Sequence, residues 1–179
     1  MEKSIDEEKA HIYNHCLENF KNIQELIKFA DQKASGLLVV YGFLITIYIN
    51  FFEDTKFIEL QEASIKNWMI LLLGLAFCIT MIVQIFYVVF KIIVPRKASN
   101  YENETKCTFY YGHITKMEKI DFIELIRNEG IDSNIDDVAS QIYEISSILD
   151  KKYENIRFCI KLLILSVISL IGYVILLII

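Results

Sequence analysis

The sequence is poor in residues that break helices. It holds one proline, Pro95, and six glycines in 179 residues. No proline or glycine precedes Gly36, and none lies between Gly130 and Gly172. Two long stretches are therefore free to run as uninterrupted helix. The four cysteines, Cys16, Cys78, Cys107 and Cys159, are scattered at spacings that suit neither a disulfide framework nor a zinc site, and they read as small buried hydrophobes. Histidine is scarce. His11 and His15 stand four apart on a helical stretch with Glu8 and Cys16 nearby, but the glutamate of a zinc hydrolase motif is missing, so they read as an exposed polar face and no metal is expected.

Other absences narrow the chemistry further. There is no phosphate-cradling glycine loop, no nucleophile elbow and no histidine–aspartate cluster, so no catalytic residues are expected and the chain reads as not an enzyme. Basic excess is lacking too: a net charge of −5 and a pI near 5.3 leave no footprint for nucleic acid. The opening MEKSIDEEKAH is charged and has no apolar core, so it does not read as a secretory signal.

What the chain has in abundance is apolar residues, 54% of the total with a mean hydropathy of +0.39. They are gathered in blocks. Residues 34–52, 67–90 and 162–179 contain no charge. A bilayer core about 30 Å thick needs roughly 20 apolar residues in helix, so each block is long enough to span, the last with help from the snorkelling stems of Arg157 and Lys161. The expected fold is an all-α membrane protein with three transmembrane helices continuous with a cytoplasmic helical stalk.

Lysine and arginine set the orientation. Lys21, Lys28 and Lys33 precede the first span, Lys91, Arg96 and Lys97 follow the second, and Lys151, Lys152, Arg157 and Lys161 precede the third. The loop EDTKFIELQEASIK offers only Lys56 and Lys66 against four acids. The N-terminus and the central segment are then cytoplasmic, and the loop and the C-terminus external. Trp68 stands where an interfacial anchor belongs. The divisions expected are 1–33 as a cytoplasmic amphipathic helix, 34–52 as the first span, 53–67 as an external loop, 68–94 as the second span, 95–158 as a cytoplasmic helical segment and 159–179 as the third span.

Outside the spans the periodicity is helical. Cys16, Phe20, Ile23, Ile27, Ala30 and Ala34 follow a 4-3-4-3-4 spacing, and Val138, Ile142, Ile145, Leu149, Lys152, Ile156 and Ile160 form a second stripe after the turn material EGIDSN. Two helices with such seams are expected to pack as an antiparallel stalk. Pro95 ends the second span, KASNYENETK reads as a loop, CTFYYGHI as an extended piece or tight turn, and KMEKIDFIELIRNEG as a short amphipathic helix closed by Gly130. Gln84, alone in the second span, is expected to hydrogen-bond a neighbouring helix. A cytoplasmic portion of about 100 residues buries a small core but is small for a catalytic domain.

Three stretches carry a resemblance. FADQKASGLLVVYG has an Ala-Asp-x-Lys-Ala core at Ala30, Asp31, Lys33 and Ala34; FYYGHITKMEKIDFIELI and VASQIYEISSILDKKYENIRFCIKLLI follow in order. Together they resemble the transmembrane effectors of Pycsar, a bacterial antiphage system. The resemblance implies a partner cyclase that makes cyclic UMP or cyclic CMP on infection, and an effector that answers by impairing the inner membrane and stopping growth of the infected cell. It supplies no residue list for the nucleotide, and no cofactor beyond it.

From the residues themselves, Tyr110 and Tyr111 are candidates to stack on a pyrimidine, and Lys106, Arg127 and Arg157 to meet the cyclic phosphate. Asp31 and Lys33, at the mouth of the first span, are candidates for a polar latch with Lys152, and Arg157 and Gln141 are further partners for it. The bilayer, the cyclic nucleotide and further copies of the chain in a homo-oligomer are the expected partners. Alternatives are a holin-like or regulatory membrane subunit triggered by a protein partner, and a passive scaffold.

Overall fold

The computed structural model describes residues 2–54, 64–94 and 107–178. The described residues are helical with no strand among them: α1 (Glu2–Asp54), α2 (Ile65–Tyr87) running into a π-helical turn (Val88–Ile93), α3 (Tyr111–Ile114), α4 (Lys119–Asn128) and α5 (Ile131–Ile178). Three of these helices are long and apolar enough to cross a membrane. The chain forms two compact units, one of residues 1–29 and 96–151 and the other of residues 30–95 and 152–179, and both α1 and α5 contribute to each.

In the second unit three seams meet. α1 buries Ala30, Ala34 and Tyr41; α2 and its π turn bury Ile70, Gly74, Phe77, Met81, Gln84, Val88 and Ile92; α5 buries Lys152, Ile156, Cys159, Ser166, Leu170 and Tyr173. The spacing alternates between three and four, the repeat that keeps one stripe of a helix against its neighbours. Tyr48 ties the seams together, with its ring 4.9 Å from that of Phe77 and 5.1 Å from that of Tyr173. The outward faces carry Val39, Phe43, Leu72, Leu75, Ile168 and Ile171, all exposed and apolar, as lipid contact requires.

The π turn has a definite consequence for register. The Val94 N–H donates to the Val89 carbonyl, five residues back, at 3.0 Å. Continuing the three-four alternation from Gln84 and Val88 would bring Lys91 to the core. The wider turn adds one residue, so Ile92 is buried and Lys91 is exposed. At the other end of α2, the Ser64 hydroxyl accepts the Lys66 N–H at 3.1 Å and caps the helix.

Two expectations are corrected. Asp31 meets Lys152, Lys33 lies over Tyr153, and Tyr48 meets Tyr173, so α1 and α5 run parallel rather than antiparallel. In the first unit Lys9, near the start of α1, pairs with Asp132 in the first turn of α5 at 2.6 Å. The reason is topological. One crossing separates the two helices, so both enter the apolar unit from the same side. α2 is the antiparallel member, with Tyr87 against Phe158 and the Asn155 amide donating to the Lys91 carbonyl at 3.3 Å. The second correction concerns Ile160, which is 44% exposed, whereas Cys159 is 0% exposed. Two successive steps of four rotate about 80° off a seam, and a step of three brings the stripe back.

The turn before α5 is also shorter than EGIDSN suggests. Residues Ile131–Asn134 already belong to the helix, with the Asn134 N–H donating to the Gly130 carbonyl at 3.1 Å and Asp132 placed where the helix dipole favours an acid.

Candidate functional site

At the start of the charge-free run of α1, small side chains bring two helices close. Ala30 and Ala34 are fully buried. Lys152, on the facing stripe of α5, is buried as well, and its ammonium donates to the Asp31 carboxylate. The two ends of this pair differ: the Lys152 side chain is 5% exposed and that of Asp31 is 42% exposed. The Ser35 hydroxyl donates to the Asp31 backbone carbonyl at 3.0 Å. Lys33 takes another course, with its ammonium 5.4 Å from the centre of the Tyr153 ring, in cation–π range. Arg157 stands exposed one turn further along α5.

In the first unit, the segment Cys107–Ile114 is folded against the first turns of α5. The Asp137 carboxylate accepts the Thr108 N–H at 2.8 Å and the Thr108 hydroxyl at 3.2 Å. The Cys107 N–H donates to His113 Nδ1 at 3.1 Å, which assigns the ring proton to Nε2 in the neutral ring. Gln141, nine-tenths buried, directs its amide at the Cys107 sulfur at 3.7 Å. Tyr110 packs against both Tyr111 and His113, each with ring centres 5.1 Å apart. The Tyr110 ring lies so close over Gly112 that a Cβ there would stand 2.6 Å from it, so any side chain at that step would push the ring aside.

Burial shapes the ionisation here. Desolvation pushes the Cys107 thiol above its ordinary value and keeps it protonated. Glu129 is also raised, first by desolvation and then by the like charge of Asp137. On the surface, the hydrogen bond to Asp132 raises the Lys9 ammonium.

The sequence candidates are thus distributed unequally. Tyr110 and Tyr111 are in ring contact, and Tyr111 is 66% exposed, which leaves a face to stack on. Arg127, in the last turn of α4, is exposed in the same unit. Arg157 belongs to the other unit, and Lys106 lies outside the described residues. Gln141 belongs to the first unit and Asp31 to the second. His11 and His15 are exposed, and His15 shares a hydrogen bond with Asn19 at 3.2 Å. Among the described residues no three histidine, cysteine or acidic side chains gather as a metal cluster.

Sequence reasoning missed Asp137 and Thr108 as a holding point for the loop, because 29 residues separate them and each looks like ordinary polar surface. It also missed the extent of the polar interior of the second unit. There the Gln84 amide donates to Ser166 Oγ at 2.7 Å and to the Thr80 carbonyl at 3.1 Å. The Ser166 hydroxyl reaches Thr80 Oγ1 at 2.8 Å and the Leu162 carbonyl at 3.0 Å. Two buried oxygens remain without a well-formed hydrogen bond, Gln84 Oε1 and the Tyr41 hydroxyl, the latter facing the Cys159 thiol.

A stretch of 75 residues, 42% of the chain, is 27% identical to the Pycsar effector protein TpPycTM of Treponema porcinum and spans 64% of that relative's length. No solved structure matches the chain. The family model described as the PycTM Pycsar effector protein domain matches residues 15–179, and three of the helices it covers are of membrane-crossing length. The chain belongs to the PycTM family of Pycsar effector proteins.

Proposed function

We propose that the chain is an antiphage effector of the bacterial inner membrane that responds to cyclic UMP or cyclic CMP by impairing that membrane, so that the infected cell stops growing. The observation that carries this reading is membership of the Pycsar effector family over residues 15–179. The nucleotide is the product of a partner cyclase, and the effector itself carries out no chemistry. The distribution of lysine and arginine supports a cytoplasmic N-terminus and an external C-terminus. Assembly into a homo-oligomer is part of the proposal.

In this reading the first unit receives the nucleotide. The exposed Tyr111 ring stacks on the base, with Tyr110 behind it, and Arg127, exposed in the same unit, is the candidate for the phosphate. Lys106 and Arg157 remain proposals for the same role. The Asp31–Lys152 pair is the latch of the resting membrane unit, with Lys33 on Tyr153 as its neighbour. Because α1 and α5 run unbroken through both units, a ligand that prefers another packing of the first bears on the pair in the second. Such a switch requires different affinities for the two states.

The test is binding of cyclic UMP, cyclic CMP, cyclic AMP and cyclic GMP to the detergent-purified chain, paired with dye leakage from proteoliposomes. Saturable binding of one pyrimidine nucleotide, with leakage at the same concentrations, is the expected result. Binding of none, together with leakage that follows a protein trigger, would replace this reading with the partner-triggered one.

A further inference from the structure

In its charge-free run, α5 keeps its polar side chains on the inside. Along α5, Lys152, Cys159, Ser166 and Tyr173 recur every seven residues and all are buried, with Ser169 beside them. The opposite face of the same helix offers lipid Ile164, Leu165, Ile168, Ile171 and Ile175. Small polar residues alone could be explained as a means of close packing between helices. That explanation does not cover Gln84, which is fully buried and whose Oε1 has no hydrogen-bond partner, nor the Tyr41 hydroxyl, which likewise lacks a well-formed one. In hydrocarbon no water reaches an unpaired acceptor from outside, so such groups belong with an interior that is hydrated in some state of the protein.

We propose that the buried polar stripe of α5, from Lys152 through Cys159 and Ser166 to Tyr173, is the water-facing lining of a conducting state, with Gln84 of α2 as its mid-membrane partner. In the resting state the stripe is closed on itself: Lys152 is neutralised by Asp31, and Ser166 is occupied by Gln84 and Thr80. Opening exchanges these internal hydrogen bonds for water, and the two unpaired oxygens gain partners in doing so. The lipid-facing isoleucines keep their surroundings in both states. This inference rests on the membrane-impairing reading and specifies which surface carries the leak.

Thiol accessibility tests it, since a methanethiosulfonate reagent that is charged and membrane-impermeant modifies only thiols in contact with water. In proteoliposomes, one variant retains Cys159 as its single cysteine, and others carry Ser166→Cys or Ile164→Cys in a background with Cys16, Cys78, Cys107 and Cys159 replaced by alanine. Dye leakage is recorded in the same vesicles, with and without cyclic UMP or cyclic CMP. The expected result is modification at Cys159 and Ser166→Cys that rises at least about 10-fold when leakage begins, with Ile164→Cys unchanged. Retaining the native Cys159 keeps the test valid if Ser166→Cys fails to fold. Leakage with both stripe positions unreactive, or with Ile164→Cys reacting as fast, would overturn the lining while leaving the effector reading intact. Absence of leakage in every variant and in the unmodified chain would overturn both.

Discussion

Lys152 and Asp31 form an ion pair whose two members occupy different surroundings, the lysine side chain 5% exposed and the aspartate 42% exposed. The asymmetry decides which half matters. Removing the carboxylate strands a buried ammonium; removing the ammonium leaves a carboxylate that water already reaches.

Asp31→Asn is therefore expected to destabilise the detergent-solubilised protein by about 2–3 kcal/mol, below the ~3–5 kcal/mol of a fully buried pair, because the partner is half solvated. Lys152→Met, which fills the same volume without charge, is expected to change stability by less than about 1 kcal/mol. Thermal unfolding of the two variants measures the difference, and equal losses would contradict the burial asymmetry. If the pair is also the latch, both variants leak in proteoliposomes without nucleotide, whatever their stability.

Glycines in the membrane unit make a second contrast. A Cβ on Gly74 would stand 2.9 Å from the Tyr48 hydroxyl and 3.3 Å from the Tyr173 ring, whereas Gly42 has open space around it. Gly74→Ala is expected to cost about 1–3 kcal/mol by forcing the aromatic cluster apart. Gly42→Ala is expected to gain about 0.5–1 kcal/mol through helix propensity alone. Denaturant titration in detergent separates the two, and a neutral Gly74→Ala would mean that Tyr48 has room to turn.

How far the sequence discloses this architecture depends on the range of the signal. The charge-free runs and the seam from Cys16 to Ala34 are local, repeated every few residues, and lead directly to three long helices. That Asp31 stands at the mouth of an apolar run is visible as well. Its meeting with Lys152, 121 residues away, is not. The π turn that buries Ile92 in place of Lys91 leaves no compositional mark, because an isoleucine beside a lysine suits either register. Thr108 and Asp137 are hidden for the same reason as Lys152: the contact lies between elements, and neither residue is unusual where it stands. The parallel course of α1 and α5 was available from topology, since an odd number of spans returns the last helix to the direction of the first.

Glu129 gives the first unit a pH dependence of definite sign. Its folded-state pKa lies above the ordinary value of 4.5, by desolvation and then by the nearby Asp137 charge. The folded protein thus binds more protons than the unfolded chain between those two values, and stability falls as pH rises through that window. The contribution is fully present below pH 4.5 and lost above the raised value. Glu129→Gln is expected to flatten this segment of the stability curve and to make the protein more stable at pH 7. An unchanged slope between the variant and the parent would show that Glu129 is solvated in the folded state.

The interior hydrogen bonds of the membrane unit give the last contrast, and it follows from which atoms each substitution leaves unpaired. Ser166→Ala removes the acceptor of one Gln84 amide proton while Gln84 stays fully buried, so a donor is stranded. Gln84→Leu removes the amide and with it the carboxamide oxygen that has no partner, and Ser166 keeps both Thr80 and the Leu162 carbonyl. Hydrogen bonds between membrane helices average about 0.6 kcal/mol and reach about 1.7 kcal/mol. Ser166→Ala is accordingly expected to cost about 1–2 kcal/mol, and Gln84→Leu to be neutral or stabilising by up to about 1 kcal/mol. In the double variant the cost of Ser166→Ala should vanish, because the stranded donor is gone. A thermodynamic cycle over the four proteins, read by unfolding in detergent, checks this, and strict additivity would mean that Gln84 finds another acceptor when Ser166 is lost.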